Sequence, residues 1–429
     1  MSTVPQYTTN QETQEAAFSW RDAPLVSYGL PFPRLVANHV QRMGCQRAFA
    51  LVSGSVATKT PSYQQLKDGL GSLLVGERVG VKPHTYWDEV IDISLAAQAV
   101  QADVIISLGG GSVSDAAKLV SLALSNNVKT LAELGALLPI HHGVDPDTRR
   151  LKFTLPEHVK TVSIPVIVIP TTLSAGEYTH ASGATDPRND AKRQFITPDF
   201  SMTPKVVVLD PALTLSTPER TWFSSGVRAI DHAVEVLCSF YSTDNADQAA
   251  ADALALLVPA LLKLKTNGFN DLQARLEAQL GARKAIEPIC LFIPAGGSHA
   301  IGHMLGPLGV GHGETSCILL PSVCKYNSVS PPALARQQRP LSVLWSSPEV
   351  ASALEARGLK RESADLSATL DGVFRELGMP RTLRDVGIDP TEEFLDKLAE
   401  LSLLDFWMGT NPIPLTEKTE VLKILRMSA

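Results

Sequence analysis

The sequence predicts an α/β amino-terminal domain built on a mostly parallel sheet, followed by an all-helical carboxyl-terminal domain. Three observations predict it. From about residue 25 to residue 210, short runs of β-branched residues alternate with helical patterns, the rhythm of strands joined by helical crossovers. The runs are continuously apolar rather than alternating, so the strands are expected to be buried on both faces. After Asp210-Pro211 the β-branched runs stop and helical periodicity continues to the end. The expected division is therefore a loose tail over residues 1–24, an α/β domain over 25–210 and a helical domain over 211–429.

Taken in order, the opening MSTVPQYTTNQETQ is polar, with neither a charged leader nor an apolar stretch, so no secretory signal is expected there. The strand runs are AFALVS at 48–53, DVIISLG at 103–109, VIVIP at 166–170 and KVVVLD at 205–210. HHGVDPDTRR, residues 141–150, reads as a surface loop, and DPRNDAKRQF, residues 186–195, as a hairpin tip or exposed excursion. Ser216-Thr217-Pro218 reads as a helix start with a hydroxyl cap and proline in the first turn. LALLVPALLKL, residues 254–264, falls short of the roughly 20 residues a membrane span needs and predicts a buried helix. SADLSATLDGVFRELG adds an amphipathic helix later on.

Composition narrows the function. With 44% hydrophobic and 19% charged residues over 429 positions, the chain can bury cores of ordinary size, and its length suits two domains. A formal net charge of −6 without a long basic run lacks the electrostatic footprint of a nucleic-acid binder. A small-molecule substrate is the expected partner, with no membrane, and a homodimer is left open. Cys45, Cys238, Cys290, Cys317 and Cys324 form an odd set without a CxxC pair, which points to a reduced cytoplasmic setting rather than a disulfide framework or thiolate zinc site.

The most informative segment is DVIISLGGGSVSDAAKLVSLAL, an apolar strand running into Gly109, Gly110, Gly111 and Ser112 and then a helix. Glycines remove the Cβ atoms that would block backbone approach, and a helix start aims free N–H groups and partial positive charge at a pyrophosphate. A plain glycine-rich turn is the bland alternative, and the pattern is neither GxGxxG nor a P-loop. At the end of the first strand run, LVSGS offers no carboxylate at Ser53, Gly54 or Ser55 to accept from ribose hydroxyls or repel a 2′-phosphate, so NAD and NADP are held equal.

Two later segments carry imidazoles. In SSGVRAIDHAVEVLCS a helix would put Val227, Ile230, Val234 and Leu237 on a core stripe and Arg228, Asp231, His232 and Glu235 on an adjacent polar stripe. A solvated face with an Arg228–Asp231 pair is the bland reading. In AGGSHAIGHMLGPLGVGHGETSCILLPS, His299 and His303 are one turn apart and His312 follows a glycine-rich loop. Imidazoles so arranged can meet one divalent ion, though a lone histidine is usually structural.

GGGSVSDAAK resembles the GGGSxxDxAK signature of the iron-containing alcohol dehydrogenases, and the resemblance extends through PTTLSAGEYT, VVVLDP, the histidine segments and TNPIPLT, covering most of residues 25 to 420. It implies an iron-containing alcohol dehydrogenase-like, dehydroquinate synthase-like architecture. It places Gly109, Gly110, Gly111, Ser112 and Asp115 along a dinucleotide, with Thr171, Thr172 and Leu173 as a wall, Lys118 one turn into the helix and Gly54 at the end of the first strand run. It makes His232, His299 and His312 metal ligands for iron or zinc and puts His303 near the nicotinamide. The family's remaining ligand, an aspartate four residues before the first histidine, is Arg228 here, and Asp231 sits about 100° away around the helix. A guanidinium within roughly 6 Å of the cation would repel it, which predicts a metal-free or weakly metallated site. His312-Gly313-Glu314-Thr315 and GVKPHTYWDEV around His84 are similar to the maleylacetate reductase branch.

These readings converge on an NAD(P)-dependent oxidoreductase that moves a hydride between nicotinamide and a carbonyl or conjugated enone, an acidic or oxygen-rich substrate among them. His303 or His299 would handle the proton, Arg228 would orient the substrate, and His232 and His312 would complete the polar wall. A metal-dependent alcohol dehydrogenase, a non-redox lyase or cyclase on the same fold, and a nucleotide-binding protein without catalysis are the alternatives.

Overall fold

The structure is a computed structural model that describes residues 6–429. It divides into two compact units, one formed by residues 6–142 with Lys152–Thr217, the other by Gly143–Leu151 with Pro218–Ala429.

The first unit is built on a seven-stranded sheet. In chain order its strands and those of two small ribbons are β1 (Thr13–Phe18), β2 (Arg21–Tyr28), β3 (Ala48–Val52), β4 (Leu74–Val79), β5 (Val104–Gly109), β6 (Ile140–Val144), β7 (Leu151–Thr154), β8 (Val166–Pro170), β9 (Ala181–Asp186), β10 (Ala191–Ile196) and β11 (Val206–Val208). The sheet order is β1-β2-β11-β8-β5-β3-β4. Only β1 pairs antiparallel; the rest run parallel, with Ala50 opposite Ile106 and Ile106 opposite Ile167. The apolar runs are continuous because both faces are covered. Phe49, Leu51, Ile105 and Val168 face a layer formed by α2 (Trp87–Ala99) and α3 (Gly111–Ser125), while Ala50, Val52, Ile106 and Ile167 face α1 (Phe32–Arg42). Each large aliphatic side chain buried this way contributes about 2 kcal/mol.

Three sequence expectations meet a different outcome, and one strand had no expectation at all. The segment expected as a loose tail carries β1 and the start of β2, because Val26 and Tyr28 bury against the parallel sheet and bring the preceding strand with them; residues 1–5 lie outside the described residues. β4 has no apolar run to announce it, since this edge strand is half to fully exposed. His141–Val144, read as loop, pairs with residues 151–154 as the β6–β7 ribbon. The helix after Thr217 starts without a side-chain cap: Pro218 is the capping residue, and the Thr217 hydroxyl donates instead to the Thr171 carbonyl at 2.7 Å. The excursion at 186–195 is the β9–β10 hairpin, as read.

The described part of the second unit is dominated by helices. Five matter here: α4 (Glu219–Cys238), α5 (Asp244–Thr266), α6 (Leu272–Cys290), α7 (Gly297–Leu305) and α8 (His312–Asn327). The stretch 254–264 lies within α5, most of it buried. Close approach of α8 to α4 depends on Gly313, where a Cβ would stand 2.3 Å from the Ser224 carbonyl oxygen.

Candidate functional site

Two sets of residues carry chemistry, one in each unit. In the first, β5 ends at Gly109 and α3 starts at Gly111 with no side-chain cap on its free N–H groups. The turn is held from below, because the Thr171 N–H donates to the Gly109 carbonyl at 3.0 Å. A Cβ on Gly110 would come within 3.2 Å of Thr172, and one on Gly111 within 3.0 Å of Ser174 Oγ. The glycines therefore leave a cradle that side chains would fill, and an uncapped helix start of this length suits a phosphate. Thr171, Thr172 and Leu173 lie beside the turn, Leu173 fully buried. Gly54 starts a short helix, and Ser53 Oγ and Ser55 Oγ are 3.0 Å apart, again without a carboxylate among them.

Lys118 is placed differently from the expectation. Its ammonium is fully buried and donates to Gly176 O at 2.8 Å, Thr179 Oγ1 at 3.0 Å and Ala181 O, with Asp115 Oδ1 at 2.9 Å. All three hydrogens are committed to the protein, so Lys118 fastens the loop after β8 to α3 rather than reaching for a phosphate. Asp115 is drawn into the same network through the Gly183 N–H at 3.4 Å. Next to it, burial pushes the Glu177 carboxyl up to about 7, and its Oε2 is buried without a partner.

The second set stands on α4, α7 and the segment before Met408. The core stripe on α4 is as read: Val227, Ile230, Val234 and Leu237 are all buried. The adjacent polar stripe is buried too, which rules out a solvated face. The His232 and His299 rings stack with centroids 4.7 Å apart. Glu235 accepts from the N–H groups of Gly296 and Ser298, both at 2.8 Å, and so caps the start of α7. It also lies 2.7 Å from His299 Nδ1. Asp231 Oδ2 accepts from Ser298 Oγ at 2.9 Å and Ser316 Oγ at 2.5 Å. The Arg228 guanidinium, 12% exposed, stands 3.6 Å from Asp231 and donates through Nη1 to Ser316 Oγ at 3.1 Å. Arg228 Nε and Nη2 have no acceptor among the described residues.

Electrostatics follow from burial. Desolvation, then the neighbouring Glu235 charge, pushes the Asp231 carboxyl well above the usual range; burial pushes Glu235 to about 7 despite the N–H groups and Arg228 that favour its charge. Burial, then the neighbouring positive charges, drives both His232 and His299 well below the ordinary imidazole value, so both are neutral. With His299 Nδ1 held by Glu235, its Nε2 is buried without a partner, as is His232 Nδ1.

Whether a divalent cation fits can be judged from these donors. Among the described residues, the ligand atoms that come within 4.8 Å of one another belong to Asp231, Glu235 and His299. That group makes a candidate metal site, but its composition is not the expected one: His232 and His312 are outside it, and His312 stands half-buried at the start of α8. The carboxylate oxygens facing His299 already accept hydrogen bonds, and a guanidinium adjoins them. Two imidazole nitrogens and Asp231 Oδ1 are buried without partners and offer lone pairs, while the Arg228 guanidinium 3.6 Å from Asp231 weighs against a cation beside them.

Sequence reasoning missed four contributors: Ser298, Ser316, Asp405 and Trp407. His303 Nδ1 lies 2.8 Å from Asp405 Oδ2, and the Trp407 ring centroid is 5.3 Å from that of His303 and 5.5 Å from that of His299. A separation of 102 residues between His303 and Asp405 leaves no local pattern to read.

Comparison with known proteins adds a second line of evidence. Residues 34–211 match the iron-containing alcohol dehydrogenase model and residues 222–429 its carboxyl-terminal counterpart. The chain is 37% identical over 428 residues to dehydrogenase FUM7 of Gibberella moniliformis, covering 96% of this chain and 98% of that one. It is 39% identical over 400 residues to dehydrogenase ALT3 of Alternaria alternata, covering 89% and 99%. To maleylacetate reductase 1 of Cupriavidus pinatubonensis it is 27% identical over 412 residues, covering 95% of each. With matches running through both units and over nearly the full length of these relatives, the chain belongs to the iron-containing alcohol dehydrogenase family of oxidoreductases.

Proposed function

We propose that this protein is an NAD(P)-dependent reductase of carbonyl or conjugated-enone substrates that carry a carboxylate, working with little or no bound metal. The observation that carries the reading is Arg228. Its guanidinium, 12% exposed, stands beside two neutral imidazoles, with Nη1 tied to Ser316 and two further N–H edges unclaimed by the described residues. A planar donor held this way suits bidentate recognition of a carboxylate and disfavours a cation. The likeness to a maleylacetate reductase, whose name denotes an acidic substrate, supports the same class. The glycine cradle at Gly109, Gly110 and Gly111 would hold the pyrophosphate of the nucleotide, and the nicotinamide would supply the hydride. The site's imidazoles would move the accompanying proton, and Arg228 would orient the substrate.

The test follows absorbance at 340 nm with matched carbonyl substrates that do or do not carry a carboxylate. Replacing Arg228 by methionine should cost ~100-fold in kcat/KM for the acidic substrate, the scale of losing a buried charge-assisted pair, and little for the neutral one. Loss of both activities in equal measure would overturn the role given to Arg228, and absence of nucleotide turnover with any carbonyl would favour a lyase or cyclase. The metal-dependent reading is favoured by the grouping of Asp231, Glu235 and His299. Arg228→Asp distinguishes the two: elemental analysis should find more bound iron or zinc than in the parent, and equal content would defeat the charge argument.

A further inference from the structure

The two histidines of α7 do not sit in equivalent surroundings. His299, 1% exposed, is locked between Glu235 and the His232 ring. Its Nδ1 faces the carboxylates of Glu235 at 2.7 Å and Asp231 at 3.4 Å, both also occupied in holding Ser298 and the start of α7. Protonating this ring would perturb a network that also holds a helix start in place. His303, one turn later and 11% exposed, has a carboxylate largely to itself: Asp405 Oδ2 at 2.8 Å. The other oxygen of Asp405 accepts the Trp407 N–H at 2.9 Å, a tight turn that carries the indole against both imidazoles.

We propose that Asp405 is a positioning residue that makes His303, rather than His299, the proton-transfer group of the reaction. The inference rests on the reductase reading above. Holding Nδ1–H against Asp405 fixes the tautomer and ring orientation and assigns proton exchange to Nε2, while the carboxylate stabilises the imidazolium before transfer. In the reducing direction the substrate carbon would gain two electrons and a hydrogen, the chemistry a bound reduced nicotinamide would supply, as a substrate π pair shifts toward oxygen. The N–H bond at Nε2 of the His303 imidazolium breaks, and its proton completes the alcohol or, for an enone, the saturated ketone. The substrate would end reduced at the expense of the nucleotide and His303 would end neutral, its proton restored from water. Trp407 limits water around the imidazoles during that exchange.

Three single variants, Asp405→Asn, Asp405→Glu and His303→Gln, and the Asp405→Asn/His303→Gln double variant test this, each with nucleotide affinity and melting temperature measured beside kcat and KM. Asp405→Asn should lower kcat by ~100-fold or more, the usual scale of positioned acid–base catalysis, with nucleotide affinity and melting temperature unchanged. Asp405→Glu should recover part of the loss, and adding Asp405→Asn to His303→Gln should cost little more, because the two act as a unit. Retained kcat in Asp405→Asn, equal losses in the asparagine and glutamate variants, or independent losses in the double variant would each overturn the proposal. If the parent protein turns over no nucleotide at all, the reductase reading fails instead, and the two failures are told apart by that control.

Discussion

The glycine turn and the imidazole cluster are assembled by opposite routes. At the turn, a strand end, three glycines and a helix start follow one another along the chain, and the threonine wall comes from the neighbouring strand of the same sheet. The cluster takes Arg228, His232 and Glu235 from α4, His299 and His303 from α7, Ser316 from α8 and Asp405 from a segment near the carboxyl end. The turn depends on backbone geometry that short sequence dictates; the cluster depends on how helices pack. Their buried glutamates make the contrast concrete. Burial pushes both Glu177, beside the turn, and Glu235, in the cluster, to about 7. Glu235 collects two N–H groups and an imidazole, whereas Glu177 Oε2 is left without a partner.

The largest effect expected from breaking this contrast is at Gly313. A methyl there would meet the Ser224 carbonyl oxygen at 2.3 Å and its carbon at 2.4 Å, backbone atoms that cannot swing aside. Gly313→Ala should force α8 from α4 and destabilise the second unit by about 3 kcal/mol, read as a lower denaturant midpoint. Nucleotide affinity at the turn should survive wherever that unit stays folded. An unchanged midpoint would mean the helices tolerate separation.

Comparable in size but conditional on pH is Glu177→Gln. The folded-state value near 7 lies above the ordinary carboxyl value of 4.5, so the folded form keeps a proton that the unfolded form releases. The resulting penalty is absent below pH 4.5, grows as pH rises to 7 and is complete above it, reaching about 3 kcal/mol at 1.36 kcal/mol per unit. Glutamine abolishes it. The variant should match the parent near pH 4.5 and exceed it at pH 8 in urea denaturation; a constant difference across that range would sink the assignment. His180, which burial pushes down to about 3, destabilises in the opposite sense as pH falls below 6.5, and it cancels in the comparison of variant with parent.

The smallest effect sharpens the turn itself. A methyl on Gly111 meets the Ser174 hydroxyl at 3.0 Å, an atom able to rotate away into the space a phosphate would use. Gly111→Ala should therefore weaken nucleotide binding by roughly tenfold, about 1.4 kcal/mol, without altering the melting temperature. Calorimetry that finds equal affinity would remove the turn from the binding site.

How much could be read from residues alone follows the same division. The buried parallel strands, the core stripe of α4, the β9–β10 hairpin and the glycine cradle were legible, since each rests on periodicity or on a residue type that a local conformation demands. Edge strands β1 and β4 were not, because an edge needs no apolar run when a neighbour supplies its hydrogen bonds. Lys118 was grouped with the dinucleotide residues by resemblance, but three acceptors between Gly176 and Ala181 claim its hydrogens. Asp231, about 100° from His232 around the helix, was not expected to stand in for the missing aspartate, yet α7 brings His299 Nδ1 to 3.4 Å from it.

By itself, then, the sequence determined an alternating α/β unit ahead of a helical one, a glycine bend between a strand and a helix, and the presence of imidazoles and an arginine one or two helical turns apart. Tertiary structure alone decided which nitrogen faces which carboxylate, that a nominally polar stripe is buried, and that an aspartate 102 residues away meets His303. The physical reason is range. Backbone conformation responds to neighbours in sequence, while protonation and hydrogen bonding of buried groups respond to whatever packing brings within a few ångströms.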